Sequence, residues 1–526
     1  MADQNGQLPS LPSELWQSIL SRLSNSDIKS LRLTCRLFGD SSLRIERVFL
    51  SANPLNIEVF RSIADHKTIR HRVTEIVWDD ARFIDVPQRT VSDYGMSEDE
   101  TEECPVWFVK ECRENLEYLE ERKGDDVDRP DHIARAEQIV VRPPLKMCWE
   151  YYQHLLHQQK HVLAAESDQD IFLYGLKRFP ALKRITITPV AHGWLFAPLY
   201  QTPMIRAFPK GFNYPIPRGW STAGNHQAPP LAKPWQDLDE LDKDKYRGFR
   251  IVTRVLATEE HNVSELLMDA NQLSIGLDCT MFDRSCDENE NLAAVLKHAV
   301  FCRLDLAFIV RGQDWEKDWR SFRNGKLYQA LGEAKDMEHI KMYATSVSDS
   351  TLDRAEDSRV GSLRHSIPLQ SIFPIAKWSK LRYFGLSRFV VSQPDIISLL
   401  SALPETLHSV ELSFLEFIDN GGNWRDLLTE MRIRIHENCL WPDRDTASKP
   451  KITIGVKHIC FRAGSGIWLE QEVCDFLYEE GEHPFGSVNY PKWGVGTVRD
   501  TFEPNYERPY VRRGVLRRLG YLKPIQ

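Results

Sequence analysis

The sequence predicts a mixed α+β protein, with a small helical module at the N-terminus and a larger α/β region with long insertions after it. Three observations lead to this fold class. Apolar residues recur at helical spacing near the N-terminus, a strand-like apolar spacing recurs between residues 73 and 412, and Pro-rich, aromatic or acidic stretches interrupt it. A chain of 526 residues has room for about two or three structural units.

Composition narrows the class of protein and the compartment. Apolar residues make up 42% of the chain and charged residues 27%, as in folded proteins. No apolar run approaches the roughly 18 residues of a membrane span, and the N-terminus lacks the basic and apolar regions of a secretory signal. The ten cysteines form no C-x-x-C pair, which favours a reducing compartment. We therefore expect a cytoplasmic or nuclear protein with no membrane partner and, given its net charge of −8, no nucleic-acid partner.

The N-terminal stretch Leu8–Phe49 carries two apolar sets at helical spacing. The first set is Leu15, Ile19, Leu20 and Leu23, and the second is Ile28, Leu31, Cys35 and Phe38. Residues 24–27 between them (Ser-Asn-Ser-Asp) supply helix caps and a turn. The pattern predicts two or three short amphipathic helices. A unit of about forty residues buries little surface alone, so it needs a further surface to pack against.

This stretch resembles the F-box family. The shared features are the Leu11-Pro12 opening, the helix with Leu15, Ile19-Leu20 and Leu23, the Asp27-Ile28 turn and the Thr34–Phe38 close. The resemblance, over residues 8–50, implies docking to the Skp-type adaptor of an SCF cullin–RING ubiquitin ligase and, through the adaptor, to cullin. It implies adaptor contacts at Leu11, Pro12, Leu15, Ile19, Leu20, Leu23, Ile28 and Leu31. Trp16 is bulkier than the aliphatic residue expected at its position. The pattern alone equally allows a helical hairpin packed into the chain's own core.

A second pattern follows the module: apolar, two residues, apolar, one residue, apolar. It occurs at Val73-Ile76-Trp78 and again in stretches that begin at Leu182, Phe301, Met337, Leu381 and Leu407. A helix, a short turn and a strand with this spacing form the unit of a leucine-rich repeat, whose apolar edge is buried by neighbouring units. We therefore predict an irregular leucine-rich-repeat-like α/β domain over residues 51–450. Its units are uneven, from 26 residues (381 to 407) to 119 (182 to 301), and the asparagine of a regular repeat is absent, so a non-repeat α/β domain is the alternative.

Two insertions and the C-terminus stand apart from the repeats. Pro189–Trp235 interleaves prolines with aromatic residues, which excludes a helix or a central strand and predicts a loop across the surface of the α/β body. Its aromatic residues serve either packing or a wall of the substrate-recognition surface. The acidic, polar composition of Ser92–Glu103 predicts a solvated loop. Residues 451–526 form an α/β extension with a basic tail, Arg508–Gln526. The tail either packs on the body, with an acidic loop such as Ser97–Glu103 as its counterpart, or binds an acidic partner.

Residues that could carry chemistry are sparse. His154, His157 and His161 could share a helix face, but no carboxylate or cysteine at matching spacing accompanies them, so we expect surface histidines. Neither a phosphate-binding glycine loop nor a G-x-S-x-G elbow is present. Asp79 and Asp80 follow a predicted strand, and we expect them to be solvated turn residues. The sequence thus predicts no catalytic residue, no cofactor and no metal.

These observations favour a non-enzymatic substrate-receptor subunit, which docks the adaptor through the N-terminal helices and a target protein through the C-terminal domain. Two alternatives stay open. One is an interaction scaffold without a ligase role, with the helices as a cap, and the other is an enzyme within residues 140–526 that uses the histidine cluster. The sequence does not identify the target protein.

Overall fold

The computed structural model describes residues 12–23, 25–34, 43–85, 104–127, 130–222, 234–273, 275–310, 320–346, 368–442, 444, 448–458 and 464–524. Its α-helices are α1 Ser13–Arg22, α2 Asn25–Thr34, α3 Pro54–Asp65, α4 Val106–Lys123, α5 Pro130–Val140, α6 Leu145–Ala164, α7 Ser167–Arg178, α8 Pro203–Arg206, α9 Glu240–Lys243, α10 Arg247–Thr258, α11 Asp287–Leu296, α12 Arg320–Arg323, α13 Lys326–Leu331, α14 Gln393–Ala402, α15 Trp424–His436, α16 Gln471–Tyr478 and α17 Arg513–Arg518. Its strands are β1 Arg47–Leu50, β2 Glu75–Asp79, β3 Arg184–Thr188, β4 Ser221–Thr222, β5 Glu265–Met268, β6 Ile275–Asp278, β7 Arg303–Val310, β8 His339–Ser346, β9 Tyr383–Ser387, β10 Val390–Val391, β11 Ser409–Ser413, β12 Glu416–Phe417, β13 Lys451–Lys457, β14 Ser465–Leu469, β15 Thr497–Asp500 and β16 Glu503–Pro509. Helices and strands are mixed along the chain, which confirms the α+β fold class.

One large sheet organises the chain from β1 to β16. The nine strands β1, β2, β3, β5, β7, β8, β9, β11 and β13 lie side by side in chain order, and every pair of neighbours is parallel. Strands β14, β15 and β16 continue the sheet in antiparallel pairing. β5 pairs with the first half of the long strand β7 and β6 with its second half. Each of the six stretches with the recurring apolar spacing contains one of these strands, so the strand predictions are confirmed.

The register of the sheet shows why that spacing recurs. One row of paired positions runs across eight parallel strands, and each of its side chains is fully buried: Ile76, Ile185, Leu266, Leu304, Ile340, Phe384, Val410 and Ile452. Successive helices pack against one another beside this apolar face, for example α3 with α7 and α10 with α11. Burying one such side chain stabilises the fold by about 1.5–3 kcal/mol. Whether the domain is a leucine-rich-repeat domain stays a prediction, as do its boundaries; the sheet itself continues across residue 450, because β13 pairs with β11.

Some predicted elements have different bounds. The apolar spacing of Pro54–His71 predicts one amphipathic helix. Helix α3 begins at Pro54, where the Asn53 side chain accepts a hydrogen bond from the Leu55 amide, but it ends at Asp65. A separate 3₁₀ turn, Ile69–Arg72, follows it because His66 has an extended backbone. The pattern of Trp468–Tyr478 predicts a further helix, but Trp468 lies in strand β14 and the helix begins at Gln471. Helix α5 begins at Pro130, inside the charged stretch 124–131, and the sequence pattern did not predict this helix.

The inserted helices have an apolar cluster of their own. Side chains from α4, α6, the segment 203–214 and the chain after β2 form it: Phe83, Trp107, Phe108, Cys112, Cys148, Tyr152, Leu155, Leu156, Met204, Ile205, Phe212 and Tyr214. The described part of the Pro/aromatic stretch is largely irregular, as predicted, with only the short elements α8 and β4. It does not merely lie across the surface, however. Trp220 and Trp235 are buried in the main core, and the Trp235 indole donates a hydrogen bond to Glu288 at 3.0 Å.

Buried ion pairs join the inserted helix α4 to the last strands of the sheet. Arg122 is 1% exposed and lies 2.6 Å from Asp500 and 3.3 Å from Glu503. Arg135 of α5 also contacts Glu503, at 3.1 Å. These pairs bring together residues more than 360 positions apart in the chain. The insertion is therefore fastened to the far end of the sheet.

The basic tail packs on the body at the same place. Arg508 pairs with Asp126 at 2.5 Å, and Arg513 pairs with Asp125. The backbone of Lys523 donates to the Asp125 carbonyl at 3.0 Å. The packing alternative is thus the one observed for these arginines, with Asp125 and Asp126 as the acidic counterpart. The suggested counterpart at residues 97–103 lies outside the described residues.

Candidate partner-binding surfaces

The two N-terminal helices are short, and each has its own stabilising contacts at its ends. α1 follows Pro12, carries Glu14 in its first turn and Arg22 in its last, and so matches the helix dipole. At the end of α1, Arg44 reaches back to the carbonyl of Leu23. Asn25, which starts α2, exchanges two hydrogen bonds with the Arg44 backbone, at 2.7 and 2.8 Å. Residue 44 thus ties both helices to the segment that leads into β1.

The predicted adaptor contacts differ in how much of each side chain is accessible. Leu15 is 54% exposed and Pro12 is exposed, whereas Ile19, Leu20, Leu23 and Leu31 are half-buried. Ile28 is only 1% exposed, so in this conformation it offers no surface to a partner. Leu11 lies outside the described residues. The assignment of these positions to adaptor contact stays a prediction, and burial argues against Ile28 as a direct contact.

The helices lie apart from the cores of the larger domain. Among the described residues, neither apolar cluster contains a side chain of α1 or α2; the first residue packed against the main cluster is Ile45. α2 also exposes Leu33, at 89%. An amphipathic helix that exposes a leucine, as α1 exposes Leu15, is suited to cover another protein's apolar surface.

A second surface is the polar face of the sheet, opposite the apolar row. Alternate strand residues point to opposite faces, and the positions beside the buried row are mainly charged. Arg184 lies 2.6 Å from Glu265, Arg303 lies 3.0 Å from Asp305, and Lys341 lies 3.0 Å from Glu411. The first pair joins the neighbouring strands β3 and β5, the second lies within β7, and the third reaches from β8 to β11 across β9. The sheet therefore presents partly exposed, neutralised ion pairs along the direction in which strands follow one another.

The charged partners on this polar face determine the protonation state of its carboxyl groups. Burial raises the pKa of the Asp305 carboxyl, but His339, with Nε2 at 3.0 Å, and Arg303 outweigh it and hold that pKa below its ordinary value. Glu411 is likewise desolvated, yet Lys341 and the Tyr383 hydroxyl, which donates to it at 2.5 Å, lower its pKa. Both carboxylates are thus ionised at neutral pH. Charged residues that alternate with the apolar ones in these strands indicate such a face in the sequence, but none of the predictions above depends on them.

Asp79 and Asp80, expected to be solvated, are in fact 1% and 0% exposed. Asp80 accepts hydrogen bonds from the Trp220 indole at 2.9 Å and the Gly248 amide at 3.0 Å. Burial raises the pKa of Asp80 to about 6 and that of Asp79 to about 7. The expectation was wrong because the insertion after β3 and helix α10 cover this strand end.

His192 completes this buried group. Its Nε2 lies 3.9 Å from Asp79, and its Nδ1 is hydrogen-bonded to the Tyr214 hydroxyl at 2.9 Å. Burial, together with the charge of Arg218, lowers the pKa of His192 to about 3. A carboxyl beside a neutral imidazole has the chemistry of an acid–base pair, but both side chains are only 1% exposed and have no access for a substrate. The group is therefore a structural link between β2 and the insertion.

The histidine cluster on α6 is exposed. His154, His157 and His161 lie on its solvent-facing side, and His154 contacts Gln158 at 2.8 Å. Within the described ranges, no group of three or more histidine, cysteine or acidic side chains has the arrangement of a metal site. In the same part of the chain, no helix combines the length and apolar character needed to cross a bilayer.

Comparison with known families bears on the N-terminal helices. Residues 8–47 match the family model of the F-box domain. The chain carries an F-box domain. The match includes α1 and α2 and the Arg44 contacts that hold them, and it confirms the resemblance seen in the sequence. F-box domains typically bind Skp-type adaptors of SCF complexes, and their carriers generally act as adaptors rather than enzymes. No curated protein matches the chain.

Proposed function

We propose that the protein is a substrate-receptor subunit of an SCF-type cullin–RING ubiquitin ligase. The observation that carries this proposal is the F-box domain, whose first helix exposes Leu15 and contributes to neither core of the larger domain. The Skp-type adaptor would cover this helix, and cullin would join through the adaptor. The remainder of the chain, built on one large sheet with a polar face, would hold a target protein.

The mechanism is proximity. A target bound to the sheet domain and a ubiquitin-carrying enzyme bound through cullin would share one assembly, which raises the effective concentration of target lysines near the transfer site. The chain itself would supply no catalytic residue. For this role we propose the cytoplasm or the nucleus as the protein's location.

Reconstitution tests the proposal directly. The full chain would be co-expressed with a Skp-type adaptor and cullin, and the complex would be isolated through the chain. We expect both partners to co-purify, and the double variant Leu11→Ala/Ile19→Ala to lose them while its thermal unfolding midpoint is retained. Full recovery of the adaptor by the double variant would refute the predicted contact face. Adaptor binding without any cullin would instead favour the interaction scaffold.

A further inference from the structure

A groove on the inserted helices is not explained by the F-box domain. It lies between α4, the turn that joins α5 to α6, and the chain at Asn213, and its volume is about 410 Å³. Its apolar lining includes Val109, Leu116 and Leu145. Small clefts of roughly 300–1,000 Å³ with such a lining are typical of binding sites.

The floor of the groove is fixed before any partner arrives. The Asn213 side chain donates to the Cys112 carbonyl at 2.8 Å, and Asn115 donates to the Tyr214 carbonyl at 2.8 Å. At Gly211, with φ of +78°, the chain passes so close to α5 that a Cβ would lie 2.6 Å from the Gln138 carbonyl oxygen. Only glycine allows this approach without strain. A preformed groove loses less conformational entropy on binding than a flexible one.

Two arginines give the groove its charge. Arg113 of α4 and Arg142 of the α5–α6 turn both line it, and both are exposed. Within the described part of the chain, neither side chain has an ion pair or a side-chain hydrogen bond, in contrast to Arg122 and Arg135 nearby. Of the described residues that line the groove, none is acidic. Its two positive charges are therefore available to carboxylates from outside.

An apolar surface continues from the groove. α5 exposes Ile133 and Val140, at 56% and 84%, on one face because they are seven residues apart. Val141 and Met147 are also exposed; in the chain they lie next to the groove-lining Arg142 and two residues after the groove-lining Leu145. Exposed apolar residues that cluster in this way, beside unpaired charges, mark an interaction site rather than ordinary surface.

We propose that this groove binds an acidic peptide segment of a target protein, with a large apolar side chain in the cleft and carboxylates paired with Arg113 and Arg142. This inference rests on the proposed substrate-receptor function and names the chemistry of its substrate. The complementary charge favours a peptide over a second copy of the chain, because a second copy would bring the same two arginines to a symmetric contact.

Selection from a library of random short peptides, with the full chain as bait, tests the inference. We expect enriched peptides in which Asp or Glu flanks a large apolar residue. The most enriched peptide, labelled with fluorescein, would then be titrated by anisotropy. Reversing both charges, Arg113→Glu/Arg142→Glu, should weaken its binding about tenfold or more, and Leu145→Ser should also weaken it. The matched control is Arg72→Glu, a reversal at an exposed arginine of the 3₁₀ turn before β2, which should leave binding unchanged.

The thermal unfolding midpoint of each variant would establish that it is folded. Enriched peptides without acidic residues, or peptides that bind the double reversal as tightly as wild type, would overturn the inference. So would a wild-type dimer in sedimentation that the double reversal dissociates, because the groove would then be occupied by a second copy. If no acidic peptide binds but adaptor and cullin still co-purify, the groove fails and the ligase proposal stands. If acidic peptides bind the groove and the adaptor does not bind the chain, the ligase proposal fails alone.

Discussion

Truncating Leu15 to alanine isolates the contribution of α1 to adaptor docking. Leu15 is 54% exposed, so about half of its side-chain surface remains to be buried by a partner. Complete burial of a leucine is worth about 1.5–3 kcal/mol, and half of that is about 0.8–1.5 kcal/mol. Leu15→Ala should therefore weaken adaptor binding about fourfold to twelvefold. Because the lost surface is largely outside the fold, the stability of the free chain should change little.

Isothermal titration of the full chain with purified adaptor measures this loss. Leu33→Ala is the matched control, since Leu33 is also a leucine of the F-box helices, is 89% exposed and is not among the predicted contacts. We expect its affinity to equal that of wild type. If Leu15→Ala binds the adaptor as tightly as wild type while Leu33→Ala does not, the partner covers α2 instead, and the reasoning from the α1 face is refuted.

Three further predictions concern buried groups. Arg122→Ala removes the buried cation paired with Asp500 and leaves Glu503 with Arg135, so the free energy of unfolding in urea should fall by about 3–5 kcal/mol. A change within error would show that the Asp500 carboxylate finds another partner. Asp79, whose pKa is raised to about 7, binds its proton more tightly in the folded chain than in the unfolded one, so its contribution to stability decreases as pH rises between about 4 and 7. Asp79→Asn should gain stability relative to wild type over that range, in urea titrations at several pH values, and a constant difference would contradict the raised pKa. Ile28 is buried, so Ile28→Ala should lower the stability of the F-box helices by about 2–5 kcal/mol and should not remove a surface contact. Unchanged amide exchange in α2 would count against its burial.

The strands could be read from the sequence because one physical rule generates them. Positions such as Ile185, Ile340 and Val410 recur at the same place in each unit because all must point toward the helices. The F-box helices could be predicted for a similar reason, since a pair of short amphipathic helices has a fixed apolar spacing.

Long-range polar pairing could not be predicted in this way. Nothing near Arg122 in the chain indicates that its carboxylates come from Asp500 and Glu503. Asp79 and Asp80 look like turn residues until the insertion that covers them is placed. The groove escaped prediction for the same reason, because Arg113 and Arg142 are brought together only by the packing of α4 against the α5–α6 turn.

The attachment of α4 to the last strands has a consequence for how the protein is made. During synthesis, Arg122 leaves the ribosome long before the carboxylates of Asp500 and Glu503, so a nascent chain that stops short of β15 holds a guanidinium with neither of these partners. Contacts across such a separation form late in folding. Helices α4 and α5 therefore gain the stabilisation of these buried pairs only after β15 and β16 have been synthesised.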